Sequence, residues 1–399
     1  MAERKSKKKV APARKAPNKS KKTPPKKAVP IALKLRASKK VSAKKTSKPV
    51  LRVKRKLLKK KISAGSLQKF IENPIITPAP HQYWESKATF NPSALYADGK
   101  VHILYRAIGV GDISMLGHAV SKDGFTVFSR NTRPVYFHKV AADKTVPSVN
   151  YVSGGGGLGG CEDPHLTRID DTVYMLYTMF DGWGAIRIAL TSISFDDFVN
   201  ERWNWKHPVL ISPPGEIHKN WVLFPEKIKG KFAILHSIVP KVLIEYVSDL
   251  DALDGSVPIK SIFGDRTAPK GKKGLWPRGV GPSPMRTRYG WLVLNHVMDT
   301  RDPNKYKIGA MLLDLKDPTK VIAQATEAIL EPDEWYENAG HKAGVVYSCG
   351  AVIVRDWLFV YYGGADTVVC VAAAKLDPFL KDLKNSGVPK LKKITSKKK

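Results

Sequence analysis

An acidic motif stands directly after the most glycine-rich stretch of this 399-residue chain. Residues 153–160 read SGGGGLGG, residues 161–165 read CEDPH, and the apolar segment LTRIDDTVYMLYT follows. Proline restricts the residue before it to extended backbone, and glycine lets a ligand approach the chain closely. We therefore expect Asp163 at the start of a strand and facing a pocket, where a carboxyl group can serve as a general acid. The alternative, that Asp163 only caps a turn, stays open at this point.

A repeated hairpin predicts the elements that position this acid. Five times, an apolar strand carrying Tyr or His is followed about ten residues later by a second strand. The copies read HILYRAIG then GHAVSKDGF, YMLYTMF then IRIALTSISFDDF, FAILHSI then LIEYVSDLD, WLVLNHVMD then KIGAMLLDLKDP, and LFVYYGGAD then VVCVAAAKLDP. A single hairpin cannot bury both of its faces, whereas copies stacked around an axis can. We predict an all-β, five-bladed β-propeller whose inner strands meet at one central pocket. Short helices are expected only near Ser66–Ile71 and Pro378–Leu383.

The net charge of +33 belongs to the two ends of the sequence. Residues 1–62 carry +25 and residues 384–399 carry +7, which leaves residues 63–383 close to neutral. We predict a disordered Lys-, Pro- and Ala-rich tail over 1–62, a catalytic propeller over 63–383, and a basic tail over 384–399. Neither a signal peptide nor a membrane span is recognisable, so a cytoplasmic location is expected.

Two kinds of site are excluded by motif. The glycine stretch lacks the GK[ST] ending of a phosphate-binding loop and does not open a helix. The three cysteines, Cys161, Cys349 and Cys370, have unmatched spacings and no CxxC, so neither a disulfide framework nor a metal site is expected.

Four segments of the neutral part resemble the signatures of glycoside hydrolase family 130, the mannoside phosphorylases and β-mannosidases. They are GCEDPHLTRIDDTVYMLYT, DGWGAIRIALTSISFDDF, KNWVLFPEKIKGKFAILHS and VVYSCGAV…LFVYYGGADT. The resemblance runs from about residue 90 to 376 and implies a five-bladed propeller with Asp163 as the general acid. It also implies an inverting reaction in which inorganic phosphate attacks the anomeric carbon of a β-1,2- or β-1,4-linked mannoside, giving α-mannose 1-phosphate.

The resemblance assigns further site residues. The residues that match phosphate contacts are Lys219, Arg278 and His296. Those that match contacts to the mannosyl ring are Asn91, Arg106 and Asp366. From its glycine neighbours, Trp183 is expected to be an exposed platform on which a sugar stacks. Read without the resemblance, Lys219 could be a solvated loop charge and His296 a structural histidine, and the three sugar-contact residues could be blade-turn residues. Arg278 stands in a rigid turn between Pro277 and Gly279, which suits binding of an oxyanion.

The proposed acid carries two expectations about its surroundings. A proton donor must be neutral when substrate is bound, so we expect a pocket that raises the pKa of Asp163. We expect Glu162 to be structural, because neighbouring residues in a strand point to opposite faces. Phosphate is already a nucleophile, so a phosphorylase needs cations rather than a second carboxylate. No cofactor besides this co-substrate is expected.

Departures from the family pattern keep other functions open. Ser237 stands where many members have Arg, with Lys241 as a conceivable substitute, while His165 and Met115 replace other common polar residues. The loss of one cation favours an inverting β-mannosidase, for which the candidate bases are Glu226, Glu245 and Glu337. A third reading is a scaffold whose Lys-rich tail binds nucleic acid weakly and without sequence preference. No membrane partner is expected, and a homo-oligomer is compatible with every reading.

Overall fold

Antiparallel strands are the main regular elements of the part of the chain that this computed structural model describes, which is residues 66–139, 141–262, 274–300 and 302–386. The short strand β1 (Gln68–Lys69) comes first. A first group contains β2 (Ala88–Ala97), β3 (Lys100–Ile108), β4 (Ile113–Ser121) and β5 (Val127–Arg130). A second contains β6 (Gly159–Ile169), β7 (Thr172–Phe180), β8 (Ile186–Ser194) and β9 (Val209–Leu210).

Three further groups follow along the chain. The third contains β10 (Val222–Leu223), β11 (Phe232–Ser237) and β12 (Leu243–Val247). The fourth contains β13 (Leu275–Val280), β14 (Met285–Thr287), β15 (Gly290–Asp299), β16 (Lys307–Leu313) and β17 (Val321–Gln324). The fifth contains β18 (Val346–Val354), β19 (Trp357–Gly364) and β20 (Val368–Lys375). The helices described are α1 (Phe195–Val199) and α2 (Leu376–Ser386), with 3₁₀ turns at Gly154–Gly156 and Trp335–Glu337.

All ten strands of the repeated hairpin are confirmed. They are the antiparallel pairs β3–β4, β7–β8, β11–β12, β15–β16 and β19–β20. The first strand of most pairs is buried along nearly its whole length, which explains why these segments read as continuous apolar runs rather than as alternating ones.

Each group packs its apolar side chains against the next group. Separate buried clusters join the first group to the second, the second to the third, the third to the fourth, and the fourth to the fifth. A fifth cluster joins the fifth group back to the first, through residues such as Phe359 of β19 and Val101 of β3. The first two groups are also hydrogen-bonded into one sheet, because Ile113 and Ser114 of β4 pair in parallel with Gly159 and Gly160 of β6.

The helix predicted near Ser66–Ile71 is wrong. Residues 68 and 69 instead form β1, which pairs with Ala373 and Ala372 of β20. Lys69 reinforces this pairing, since its Nζ donates to Glu337 Oε2 at 2.6 Å and to the Glu331 carbonyl at 2.8 Å. The unpaired edge of β20 offers more hydrogen bonds than a single helical turn, so tertiary pairing overrides a weak local preference.

The helix predicted near Pro378–Leu383 is confirmed as α2. α1 was not predicted, because its residues follow β8 without a break and were assigned to the acidic turn after that strand. Ser194 caps it by accepting a hydrogen bond from the Asp197 backbone N–H at 3.1 Å. The Ser-x-x-Asp spacing is the signal that could have revealed this helix.

Candidate active site

A cavity of about 160 Å³ brings together seven of the eight predicted site residues. They are Asn91, Arg106, Asp163, Lys219, Arg278, His296 and Asp366. These side chains come from β2, β3, β6, β13, β15 and the turns next to β10 and β19. The fold therefore brings residues that are far apart in the sequence around one pocket.

Trp183 is not among the described residues that line this cavity. Its indole N–H donates to the Val146 carbonyl at 2.9 Å, and the Lys144 ammonium lies 3.7 Å from the centre of its ring. Asp181 holds the surrounding turn by accepting hydrogen bonds from the backbone N–H groups of residues 183–185. The glycines around Trp183 thus serve a tight turn, and its role as a sugar platform stays a prediction without geometric support.

A bulge in β6 sets the position of Asp163. The register against β7 shifts between Glu162 and His165, and Asp163 has a φ of +50°. The extended backbone predicted for Asp163 is therefore wrong, and a bulge re-aims side chains that would otherwise alternate. As a result the expectation that Glu162 points away from Asp163 is also wrong: both carboxylates contact the same two cations.

Arg106 and Lys219 bridge the two buried carboxylates. The Arg106 guanidinium donates from Nη1 to Asp163 Oδ1 at 3.2 Å and from Nη2 to Glu162 Oε1 at 3.0 Å. Lys219 Nζ lies 3.2 Å from Asp163 Oδ2 and 3.2 Å from Glu162 Oε2. Asn91 completes the arrangement by donating to Asp163 Oδ1 at 2.8 Å. Two positive charges thus face two carboxylates that are almost fully buried.

This arrangement lowers the pKa of Asp163, contrary to the expectation of a raised value. Burial is the largest single influence and raises the pKa, but the charges of Lys219 and Arg106 together outweigh it, and the Asn91 hydrogen bond adds to them. The pKa of Asp163 is held well below its usual range, so the carboxyl is ionised at neutral pH. Asp366 behaves oppositely, because burial raises its pKa more than the nearby cations lower it.

His296 is a neutral member of the site. Burial lowers its pKa to about 3. The ring stacks on Tyr347 at 3.6 Å between centroids, and its Nε2 donates to the Ser348 carbonyl at 2.9 Å. Its Nδ1 has no hydrogen-bond partner among the described residues. The imidazole is therefore fixed in orientation, and it gains a proton only when a nearby anion compensates for burial.

Tyr151 and Ser153 belong to the site but were not predicted. The Tyr151 hydroxyl donates to Glu162 Oε2 at 2.5 Å and accepts a hydrogen bond from Lys219 Nζ at 2.6 Å. The Ser153 hydroxyl donates to Glu162 Oε1 and accepts from Arg106 Nη2 at 2.6 Å. Their position directly before the glycines was the available signal, since a loop that approaches a ligand brings its flanking side chains with it.

An anion bound at Lys219 should raise the pKa of Asp163. It would offset the positive charge that now stabilises the carboxylate, so binding is expected to take up a fraction of one proton at about pH 4.5. Sulfate is the suitable probe because it is a dianion at the pH of this measurement. Calorimetry of sulfate binding in two buffers of different ionisation enthalpy measures the uptake. Asp163→Asn serves as the reference that removes contributions from His296, and equal uptake by both proteins would contradict this coupling.

The described ranges contain neither a cluster of metal-ligating side chains nor a helix that could cross a membrane. No group of three or more His, Cys, Asp or Glu side chains in those ranges could hold a metal ion. None of the helices described there is long and apolar enough to cross a membrane.

Comparison with known proteins places the chain in a family. The model of glycoside hydrolase family 130, described as β-1,4-mannooligosaccharide phosphorylase, matches residues 66–385. The chain is 37% identical over 331 residues to a 1,2-β-oligomannan phosphorylase of Thermoanaerobacter sp. (strain X514), covering 80% of this chain and 99% of the relative. It is 33% identical over 323 residues to a β-1,2-mannobiose phosphorylase of the same organism, covering 77% of this chain and 96% of the relative.

A solved structure supports the fold. The β-1,2-mannobiose phosphorylase of Listeria innocua, in complex with β-1,2-mannobiose, superposes with a TM-score of 0.59 at 24% identity. The superposition covers 80% of this chain and 99% of that one, and it shows a shared fold. The family model spans nearly all of the described residues, and the relatives are matched over almost their whole length. The chain therefore belongs to glycoside hydrolase family 130.

Proposed function

We propose that this protein is an inverting phosphorylase of β-mannosides, which transfers the mannosyl group to inorganic phosphate and yields α-mannose 1-phosphate. The observation that carries the proposal is the buried Asp163 held by Lys219 and Arg106, with Arg278 and His296 lining the same cavity. A carboxyl group beside a cluster of positive charge suits protonation of a leaving oxygen together with binding of an anionic nucleophile. The relatives named as phosphorylases support it.

The geometry suggests how the two substrates cooperate. Phosphate would be held by Lys219 and Arg278, with His296 nearby, while Asn91, Arg106 and Asp366 would hold the mannosyl ring. When bound phosphate offsets the positive charge of Lys219, the pKa of Asp163 rises and the carboxyl is protonated more easily. Asp163 then gives its proton to the glycosidic oxygen, directly or through a sugar hydroxyl, as that bond to the anomeric carbon breaks. A phosphate oxygen forms the new bond on the opposite face, which inverts the configuration.

An inverting β-mannosidase is the second candidate, and Ser237 is the residue in its favour. It needs a carboxylate base that activates water, and the three bases that the sequence suggests do not line the cavity. Glu226 pairs with Arg286 at the surface, Glu245 is exposed, and Glu337 is buried against Lys69 and Tyr362. Lys241, the conceivable replacement for the missing cation, is exposed and also lies outside the cavity lining.

Dependence on phosphate separates the two candidates. We expect purified protein to convert β-1,2- or β-1,4-mannobiose to mannose and α-mannose 1-phosphate when phosphate is present, and to release little mannose without it. The products are quantified by ion chromatography over a panel of both linkages. Anomeric assignment of the new phosphate ester by NMR checks the inversion. Release of free mannose as the sole product, at the same rate with and without phosphate, would establish hydrolysis instead.

We propose that the five strand groups are the blades of a β-propeller around this cavity. The cyclic order of the buried clusters supports it, because the fifth group packs on the first as each group packs on its successor. The blade count agrees with the hairpin repeat.

Several expectations stay proposals. They are the division at residues 62 and 384, a reaction without cofactors, a cytoplasmic location, and a homo-oligomer. Weak nucleic-acid binding by residues 1–62 concerns a segment outside the described residues. Deleting that segment separates the readings: the sugar chemistry should survive, and retention of DNA on a gel should be lost.

A further inference from the structure

A second cavity of about 350 Å³ adjoins the catalytic one, and the two share the lining residues Lys219, Asn220 and Arg278. We call it the Trp276 cavity after the aromatic side chain at its edge. Its volume lies within the range of about 300–1,000 Å³ that is usual for sites holding whole small molecules. Because the catalytic cavity has the smaller volume, Lys219 and Arg278 lie between a cavity of the size of a sugar and a larger one.

The walls of the Trp276 cavity are mostly aromatic and apolar. Trp221 is almost fully buried and lies 5.3 Å from the His236 ring, and Ile238, Val239 and Pro240 continue the lining. His236 Nδ1 is within 2.9 Å of the Ser261 hydroxyl. Ser237 occupies one wall, and its short side chain is turned to its own backbone by a 2.8 Å hydrogen bond to the Val239 carbonyl. Space is thus left open beside the cations.

Charge in this cavity is concentrated at one end. The cations of its lining are Lys219 and Arg278, and the Arg278 guanidinium lies 4.9 Å from the centre of the Trp276 ring. None of the described lining residues carries a carboxylate. The carboxylates of Asp163 and Glu162 lie beyond Lys219, each 3.2 Å from its Nζ, and Glu216 bonds to His218 Nε2 at 2.7 Å. A site with positive charge at one end and apolar walls at the other fits an anion that carries an uncharged organic group.

We propose that the Trp276 cavity binds the organic group of a phosphate monoester whose phosphate is held by Lys219 and Arg278. This inference rests on the proposed function, because it uses the same anion site. The ester would enter with its phosphate toward Asp163 and its substituent against Trp276 and Val239, so it competes with orthophosphate. Val239 is 38% exposed and lies at the rim, which leaves a route for the substituent from solvent.

Calorimetric titration of the free protein tests this with orthophosphate, methyl phosphate, propyl phosphate and phenyl phosphate as probes. Each added methylene that enters the cavity should tighten binding about fourfold, and phenyl phosphate should bind at least about tenfold more tightly than methyl phosphate. Phenol, which lacks the anion, should not bind measurably. Equal affinities along the series would overturn the proposal without any need for a variant.

A pair of variants locates the effect. Val239→Trp fills the mouth without changing a charge, and Val257→Trp is the matched control at a valine that is 80% exposed and outside the lining. The preference for phenyl over methyl phosphate should vanish in Val239→Trp and persist in Val257→Trp, with orthophosphate affinity unchanged in both. A preference that survives in Val239→Trp places the substituent elsewhere and overturns the proposal.

The same titrations distinguish this inference from the proposed function. If orthophosphate binds and the esters show no preference, only the Trp276 cavity proposal fails. If orthophosphate itself does not bind to the wild-type protein, the phosphorylase proposal fails. Competition of β-mannobiose with phenyl phosphate, lost in Val239→Trp, would assign the cavity to the sugar acceptor and overturn the ester proposal.

Discussion

Asp163→Asn should lower kcat for phosphorolysis of β-mannobiose by about 10²–10⁴-fold, the usual contribution of a positioned general acid. The amide keeps the shape of the carboxyl and its position on the β6 bulge, but it cannot donate the proton that the departing sugar needs. The measurement is the rate of α-mannose 1-phosphate formation at saturating phosphate. Thermal unfolding of the variant checks that the fold is retained.

The leaving group provides the control for this assignment. An aryl mannoside whose phenolate departs without protonation should lose much less activity in Asp163→Asn than mannobiose does. If both substrates lose the same factor, Asp163 acts by orienting Lys219 and Arg106 rather than by donating a proton. Turnover of mannobiose within about tenfold of the wild type would remove Asp163 from the chemistry altogether.

Lys219→Met should be the second most damaging substitution, since this ammonium serves both Asp163 and the proposed phosphate. We expect kcat/KM for phosphate to fall by roughly 10²–10³-fold, the scale found when a charge-stabilising donor is removed from an active site. Lys241→Met is the matched control, because Lys241 is exposed and outside both cavities, and it should keep full activity. A phosphate dependence unchanged in Lys219→Met would contradict the proposed anion site.

Lys219→Met should also change how stability depends on pH. At neutral pH the variant leaves the carboxylates of Asp163 and Glu162 with Arg106 but without Lys219. Removing one partner of a buried ion pair lowers the free energy of unfolding by about 3–5 kcal/mol. The pKa of Asp163 in the folded protein lies below its unfolded value of about 3.9. The stability that the ionised carboxyl contributes is therefore present above about pH 3.9, and it is lost as the pH falls through the folded pKa. The variant raises the folded pKa, so its deficit should be largest at neutral pH and shrink in acid.

Urea unfolding of wild type and Lys219→Met at pH 7 and at about pH 4 measures this difference. The free-energy gap should be smaller at the lower pH, by the amount of proton uptake that the raised pKa of the variant allows between pH 7 and pH 4. A gap that is constant with pH would mean that the methionine destabilises by packing and that the carboxylates do not depend on Lys219.

The sequence reveals the parts of this structure that depend on local pattern. The ten hairpin strands were predictable because the same hairpin recurs five times and the first strand of most copies is a continuous apolar run. Asp163 stood out through the motif after the glycines, and Lys219 and Arg278 were assigned through the resemblance to the family. Trp183 shows the limit of such reasoning, since flanking glycines do not reveal whether a ring faces a ligand or a neighbouring lysine.

Features that depend on long-range contacts were not predicted. The β6 bulge is a shift in register against β7, and Pro164 within β6 was the local sign of it. The lowered pKa of Asp163 depends on Arg106 and Lys219, which lie 57 and 56 positions away along the chain. The pairing of β1 with β20 likewise needs a partner from the far end of the described residues.

That last pairing bears on how the protein is made. During translation, Gln68 and Lys69 leave the ribosome long before Ala372 and Ala373, so β1 stays without its partner strand until those residues have been made. A polypeptide arrested before residue 373 cannot form the pairing of β1 with β20. Its exposed strand edge makes it a substrate for chaperones or proteases.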